Sequence, residues 1–468
     1  MSGYRTLHRE TVETTAIWNV TTSPLLIGGS SSNSSSSHKK KQQQQSGQYR
    51  VWTASADGGL RSYRVREKSM KNDDDPAGSL DASALSMTCS HRFVGTTGGT
   101  EATTATALGC TQVCVARNYV GEDDMAGDLL VSSLDMAGRV RLWKLSEDED
   151  EDKAGSNDTT GTSNNKPKTV RAENEFRIED ATGTVLMMCP PRWMGPGKDV
   201  SVAVACLDGT VAQIATGWVT PSRKLDGDGD GNDDGTTVSK ATSPPGTLLD
   251  RWGSRGSSIA LSIASHPVVR GVVAIGRQDG IIDTIPITTM ISSRSGTHYY
   301  DEHSSQQSPP PRRHRLRFPG NADAPIRTVC YTPDGTLLAA GNDNGSIAVW
   351  DVSRGGGQQQ AAVLVHHIVQ AHTNSWVLDM VALQDSRRWV TCGADRKLHV
   401  WKVDQMYQPV HTYTADQTIW TLGLTAPVMT GTSSGTAGGV GPLDKAKTVV
   451  RLAAGTEMGG LQILSLES

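Results

Sequence analysis

Seven short segments of the chain obey one rule. Small residues lead into Asp-Gly or a relative of it, and an alternating run follows that ends on an aromatic or aliphatic side chain. The segments are TASADGGLRSY (53–63), SLDMAGRVRLW (133–143), ACLDGTVAQI (205–214), IGRQDGIIDTI (275–285), AGNDNGSIAVW (340–350), CGADRKLHVW (392–401) and GTEMGGLQIL (455–464). In each, the turn pair sits six and five positions before the terminal hydrophobe. Asp-Gly and Asn-Gly tolerate the positive φ of a tight two-residue hairpin, and the flanking alternation is that of a half-buried strand. The pairs Ala137-Gly138, Asp395-Arg396 and Met458-Gly459 depart from the rule.

A second apolar run precedes every hairpin: AIWNV (16–20), QVCVA (112–116), TVLMM (184–188), IALSI (259–263), IRTVC (326–330), WVLDM (376–380) and IWTLG (419–423). Weaker outer strands follow all hairpins but the last, as in ENEFRIED, LLDRW, HRLRFP and VLVHHIV. Four strands per unit and seven units predict an all-β fold, a seven-bladed β-propeller of WD40 type. The last unit lacks its outer strand, so residues near Arg5–Glu10 are expected to supply it and close the ring.

The 468 residues would suggest about three domains at roughly 150 each. Hydrophobic residues are only 36%, however, and the polar excess sits in biased stretches at about 23–48, 67–87, 96–108, 146–172, 216–246, 288–313, 353–360 and 427–446. Such sequences bury too little apolar surface to offset the entropy of ordering, and are read as insertions into a single propeller spanning 1–468. Without them about 296 residues remain, about 42 per unit, as a WD40 blade requires. By strand order seven insertions fall on the bottom face and only 96–108 on the top, which leaves the top as the expected working surface.

Several functions are excluded as expectations. No apolar run is long enough to span a membrane, and MSGYRTLHRETVETTAIW lacks a secretory signal, so a soluble intracellular protein is predicted. A net charge of −4 argues against direct nucleic-acid binding. Seven scattered cysteines without a C-x-x-C pair give neither a disulfide framework nor a zinc site, and no cofactor or metal is expected. Asp226, Asp228, Asp230 and Gly231 match half of a calcium loop, but Thr237 stands where its bidentate Glu belongs. The basic run 311–317 is read as a solvated loop beside a strand. No nucleophile elbow, phosphate loop or paired catalytic carboxylates are present, so no enzyme is predicted.

Two constellations stand out. His372, Thr391, Asp395 and Trp401 fall in the sixth unit at spacings that allow a relay from indole through hydroxyl and imidazole to carboxylate. A hydrolase triad is the alternative, but at this repeat spacing the relay is structural. On the top rim, Trp18, Trp376 and Trp420 are read at equivalent points near the start of the inner strand. Leu186 and Arg327 are read at matching places, with Arg277 and Asp343 in adjoining turns. Trp and Arg dominate interface hot spots, so these seven are the candidate partner-binding residues.

The segments 255–287, 325–352 and 371–403, with VHTY (410–413) and TIWTL (418–422), resemble the WD40 subunit of the superkiller complex. The resemblance covers all seven units and about two-thirds of the chain, and none of the insertions is part of it. It implies a non-enzymatic scaffold that binds a tetratricopeptide-repeat protein alongside a DExH RNA helicase. That assembly feeds mRNA 3′ end first to the exosome, which implies a cytoplasmic location. An association with the polymerase-associated factor complex would add a nuclear role in transcription elongation. Another WD40 adaptor, such as a cullin ubiquitin-ligase receptor, is the alternative.

Overall fold

In the computed structural model the described residues are 4–11, 15–24, 48–67, 85–94, 110–117, 129–135, 137–145, 167–178, 185–188, 199–206, 208–219, 243–252, 258–268, 272–286, 314–320, 323–353, 362–424, 428–430 and 447–467. They form seven sheets, antiparallel except for one added strand on blade 1, and the seven inner strands touch one another in sequence order around an axis, blade 7 meeting blade 1. Blade 1 is built from Ile17–Pro24, Gln48–Ser55, Leu60–Glu67 and Leu85–Val94. Blade 2 uses Cys110–Arg117, Leu129–Asp135, Arg139–Leu145 and Asn174–Arg177, and blade 3 uses Val185–Met188, Asp199–Cys206, Val211–Val219 and Leu248–Trp252. Blades 4, 5 and 6 begin at Ala260, Ile326 and Val377 and end on the rim strands His314–Arg317, Val363–Ile368 and His411–Thr414. Blade 7 combines Ile419–Leu424, Lys447–Thr456 and Gly460–Glu467 with Tyr4–Thr11, so the first strand of the chain closes the ring as expected. The structure is a seven-bladed β-propeller. Among the described residues the helical content is one 3-10 turn at Val403–Gln405, and no helix is long and apolar enough to cross a membrane.

Turn chemistry accounts for the repeat. The second residue of every turn pair is left-handed: Gly58, Gly138, Gly209, Gly280, Gly345 and Gly459 have φ between 73 and 81°. Arg396 holds the same place at φ 62°, a conformation that is strained for any side chain but a glycine's. Because alternate residues of a strand face opposite sides, each sheet presents one apolar set to each neighbouring blade. The core accordingly consists of seven clusters, one at each blade interface.

The stretch 146–172 is not wholly an insertion. Lys168–Arg171 leaves blade 2 and pairs in parallel with Leu85–Val94, adding a fifth strand to the rim of blade 1 before Asn174–Arg177 returns to blade 2. Val170 and Ala172 pack on the Trp52, Phe93 and Trp143 cluster between the two blades, and that burial is what recruits the strap. Strands also extend into the ends of 23–48, 67–87 and 216–246, and Val428–Thr430 pairs within 427–446. The calcium-like sequence 226–237 lies outside the described residues. His314–Arg317, the end of the basic run, is the paired outer strand of blade 4.

A ring of side chains staples the inner strands near the top. Val113 N–H donates to Asn19 Oδ1 at 3.1 Å, and Val20 N–H to Thr421 Oγ1 at 3.1 Å. Asp379 takes four bonds: from Met380 N–H (2.7 Å) and Thr328 O–H (3.5 Å) on one oxygen, and from Leu422 N–H (2.8 Å) and Thr421 O–H (3.1 Å) on the other. Ser262 O–H continues the ring to Ile326 O at 3.2 Å. One carboxylate thus joins blades 5, 6 and 7.

Candidate protein-binding face

The inner strands share a second feature at their top ends. Ile17 pairs with Ser55 and Asn19 with Ala54, so Trp18 is the extra residue of a β-bulge. The same skip recurs in every blade and makes Thr111, Leu186, Leu261, Arg327, Leu378 and Trp420 the bulged residues. Bulges re-aim side chains at the edge of a sheet. Trp18, Leu186, Arg327 and Trp420 are therefore equivalent, whereas Trp376 is not. Leu378 holds that place in blade 6, and Trp376 precedes it by two residues on the connection from blade 5. The sequence does not show where a strand bulges, and that hides the offset.

The offset has a consequence for Trp376. Its side chain stands 44% exposed on the rim, with the Arg327 guanidinium over its ring at 4.4 Å from the centroid. Arg327 is in turn gripped in a fork by Asp343, Nη2 lying 3.0 Å from Oδ2 and Nε facing Oδ1. A carboxylate, a guanidinium and an indole thus form one preorganised stack across the top of blades 5 and 6. Trp18 and Trp420 are partly buried on blades 1 and 7, and Trp420 Nε1 meets no acceptor among the described residues. Leu186 lies in the bulge of blade 3 with its side chain outside the described residues.

Arg277 is a correction. Its side chain is 2% exposed and cannot meet a partner. Nε donates to Asp283 Oδ2 at 2.7 Å, while Nη1 donates to Gly209 O at 2.9 Å and Ser258 O at 2.8 Å. This ion pair fixes the turn of blade 3 to blade 4. A position in the turn does not reveal which way the side chain runs.

The relay residues of blade 6 are brought together. Trp401 Nε1–H donates to Thr391 Oγ1 at 2.9 Å, the hydroxyl donates to His372 Nε2 at 2.9 Å, and His372 Nδ1–H donates to Asp395 Oδ1 at 2.9 Å. Lys397 N–H adds a bond to the same oxygen at 3.1 Å. Burial acts to raise the Asp395 carboxyl, but the hydrogen bond and charge of His372 outweigh it and hold the group below its ordinary range. With His372 and Thr391 fully buried, the hydroxyl cannot reach a substrate. Asp395→Ala is expected to cost about 1–3 kcal/mol in chemical denaturation, because His372 Nδ1–H and Lys397 N–H lose their acceptor.

Sequence reading missed His399, which lies against His372 with ring centroids 4.7 Å apart. Donor atoms of His372, Asp395 and His399 fall within 4.8 Å of one another, a spacing a metal could use. Both nitrogens of His372 and Nδ1 of His399 are already engaged, the latter with Thr412 Oγ1 at 2.9 Å, so a cation would have to break the relay.

Burial, helped by His372, drives the His399 imidazole down to about 4. The stability tied to its neutral form is complete above the ordinary value of about 6.5, and up to about 3 kcal/mol is lost as pH falls toward 4. Asp379 acts in the opposite sense. Burial outweighs its hydrogen bonds and pushes its carboxyl up to about 6, so the folded state takes up a proton first and gains stability as pH falls below 6. The two effects offset each other. His399→Gln is expected to raise the melting temperature at pH 5 relative to pH 7, and Asp379→Asn to lower it, in scans of both variants beside the parent.

Two stretches match the WD domain, G-beta repeat family, residues 312–351 and 364–402. Each match takes the outer strand of one blade with the first three strands of the next. Among curated relatives, the chain is similar to the Target of rapamycin complex subunit wat1 of Schizosaccharomyces pombe, at 30% identity over 86 residues, covering 18% of this chain and 26% of the relative. It is also similar to the Protein LST8 homolog of Drosophila melanogaster, at 30% over 92 residues (20% and 28%), and to that of Drosophila pseudoobscura pseudoobscura, at 32% over 80 residues (17% and 25%). The chain spans about a quarter of the length of these relatives. Matched repeats and blade geometry together make this chain a seven-bladed propeller that carries WD40 repeats.

Proposed function

We propose that the chain is a non-catalytic scaffold whose top face holds a segment of a partner protein. The observation that carries this reading is the Asp343–Arg327–Trp376 stack, an exposed aromatic and a cation locked in place before binding. Hot spots of this composition contribute most when little side-chain freedom is lost on association.

The partner is a tetratricopeptide-repeat protein of a superkiller-type assembly, with a DExH RNA helicase reached through it. The resemblance of 255–287, 325–352 and 371–403 supports this choice. Work on 3′–5′ mRNA decay would place the chain in the cytoplasm, and a role beside the polymerase-associated factor complex would place it in the nucleus. A second reading follows from the wat1 relative, and makes the chain a subunit of a target-of-rapamycin complex.

Affinity purification with mass spectrometry separates the readings. The unmutated chain should recover the repeat protein and the helicase, and the Arg327→Ala/Trp376→Ala variant should lose at least about 90% of both while still folded. Recovery of a target-of-rapamycin kinase in their place establishes the second reading. Undiminished recovery with the double variant would remove the top face from the proposal.

A further inference from the structure

Eleven consecutive residues, 168–178, touch three blades in turn. Lys168–Arg171 pairs in parallel with the top end of Leu85–Val94, from His91 to Val94, at the rim of blade 1. Val170 and Ala172 pack between blades 1 and 2, and Glu173 N–H donates to Leu142 O of blade 2 at 2.9 Å. Asn174–Arg177 is the outer strand of blade 2, and from here the contacts run on to blade 3. Trp218 Nε1–H donates to Glu173 Oε2 at 2.9 Å, and Asn174 Nδ2–H to Thr216 O at 3.2 Å. Phe176 lies so close on Gly246 that a Cβ added there would stand 2.9 Å from its own. Together with Ile178 and Trp218 it covers the cluster between blades 2 and 3.

We propose that 168–178 is a clasp that opens and closes as one unit, ahead of global unfolding, and that couples the rim of blade 1 to the rim of blade 3 while it is closed. Its ties are of the kind that open first. Lys168, Thr169 and Arg171 are exposed, and the Glu173–Trp218 bond is exposed as well. Sheet edges with few buried contacts lie at the low end of the range of local stabilities. The staples at Asn19, Thr421 and Asp379, by contrast, sit on inner strands. Its parts move together because the contacts to the three blades fall on adjoining residues. Ala172 sits in the blade 1–2 cluster, while Glu173 and Asn174 already reach blade 3, so one end cannot lift far without pulling on the other. The closed clasp also has something to protect. Leu85–Val94 is the longest outer strand, ten residues against eight or fewer in the other blades, and a long bare edge invites mispairing. The clasp lies on the rim and not on the top face, so it is independent of the partner reading above.

Hydrogen exchange of the full chain, read segment by segment, tests this by disturbing one end and reading the other. Val170→Ala loosens the blade 1 end, and is expected to speed exchange at 174–177 at least about tenfold. Phe176→Ala loosens the blade 3 end and should do the same at 168–171. Exchange in Leu337–Asn342 of blade 5 should stay at the parent's rate, which shows that the rest of the ring is intact. Trp218→Phe, which removes the bond to Glu173 and keeps an aromatic ring, takes the place of Phe176→Ala if that variant fails to fold. Substitutions whose effect stops at their own end, or that leave both ends at the parent's rate, overturn the proposal. So does exchange of 168–178 in the parent as slow as that of Leu337–Asn342, because the segment then opens only with the whole fold.

Discussion

Asp379→Ala is expected to lower the melting temperature by on the order of 10 °C, the largest effect of any single truncation proposed for this chain. The carboxylate collects donors from three consecutive blades. Alanine leaves two main-chain N–H groups and two hydroxyls to find new partners in a confined space. At about 1–3 kcal/mol for each group left unsatisfied, with the hydroxyls free to turn elsewhere, a net loss of about 3–5 kcal/mol follows. Asparagine, the neutral isostere of the protonated acid, restores only part of it. Its amide offers one acceptor oxygen and sets an NH2 group against donors on the other side, and the Leu422 N–H cannot rotate away. Calorimetry of the alanine and asparagine variants at pH 7 measures both effects. An alanine variant within about 2 °C of the parent would show that the ring of side chains is not a stapling device.

Arg277→Met comes next. It strips the buried Asp283 of its guanidinium, and Arg315, 3.9 Å away and mostly exposed, is too far off and too solvated to replace it. Breaking one side of a buried pair costs about 3–5 kcal/mol, because the remaining charge stays desolvated. The carbonyls of Gly209 and Ser258 also lose their donor, which loosens the blade 3 turn from blade 4. The double variant Arg277→Met/Asp283→Leu is expected to recover most of the loss, since it removes both the charge and its need for a partner. Urea denaturation of the single and double variants decides it. A double variant no more stable than Arg277→Met would mean that the contacts to the two carbonyls, and not the ion pair, carry the effect.

Local chemistry explains which parts of this fold were legible. The turn pairs could be read because a left-handed residue at a fixed place demands glycine or a tolerant substitute, and Arg396 marks the one turn where that demand is overridden. The closing strand could be inferred because an unpaired outer position in blade 7 needed an occupant. The relay could be read because His372, Thr391, Asp395 and Trp401 each occupy a turn or strand position set by the repeat. The strap at Lys168–Arg171 could not, since four residues behind a long polar run carry no periodicity. Asp379 was passed over inside the apolar run WVLDM, where a charge has meaning only once three blades converge on it. Arg277 and Trp376 illustrate the limit for the candidate site. Both were placed by position in the repeat, but burial in one case and a bulge offset in the other decided what their side chains do.

The pairing of Tyr4–Thr11 with Gly460–Glu467 sets the order in which this protein can be made. Thr11 and Gly460 are partners 449 positions apart in the sequence. Were that span a free coil, joining its ends would cost only about 2 kcal/mol more than closing one blade of about 40 residues, because loop entropy grows logarithmically. The delay is therefore one of time and not of free energy. Tyr4–Thr11 emerges from the ribosome before its partner exists, and its edge must stay unclaimed until Gly460–Glu467 has followed. Contacts so distant in sequence form slowly, and a nascent ring held open at one seam is the species most exposed to mispairing with a neighbour.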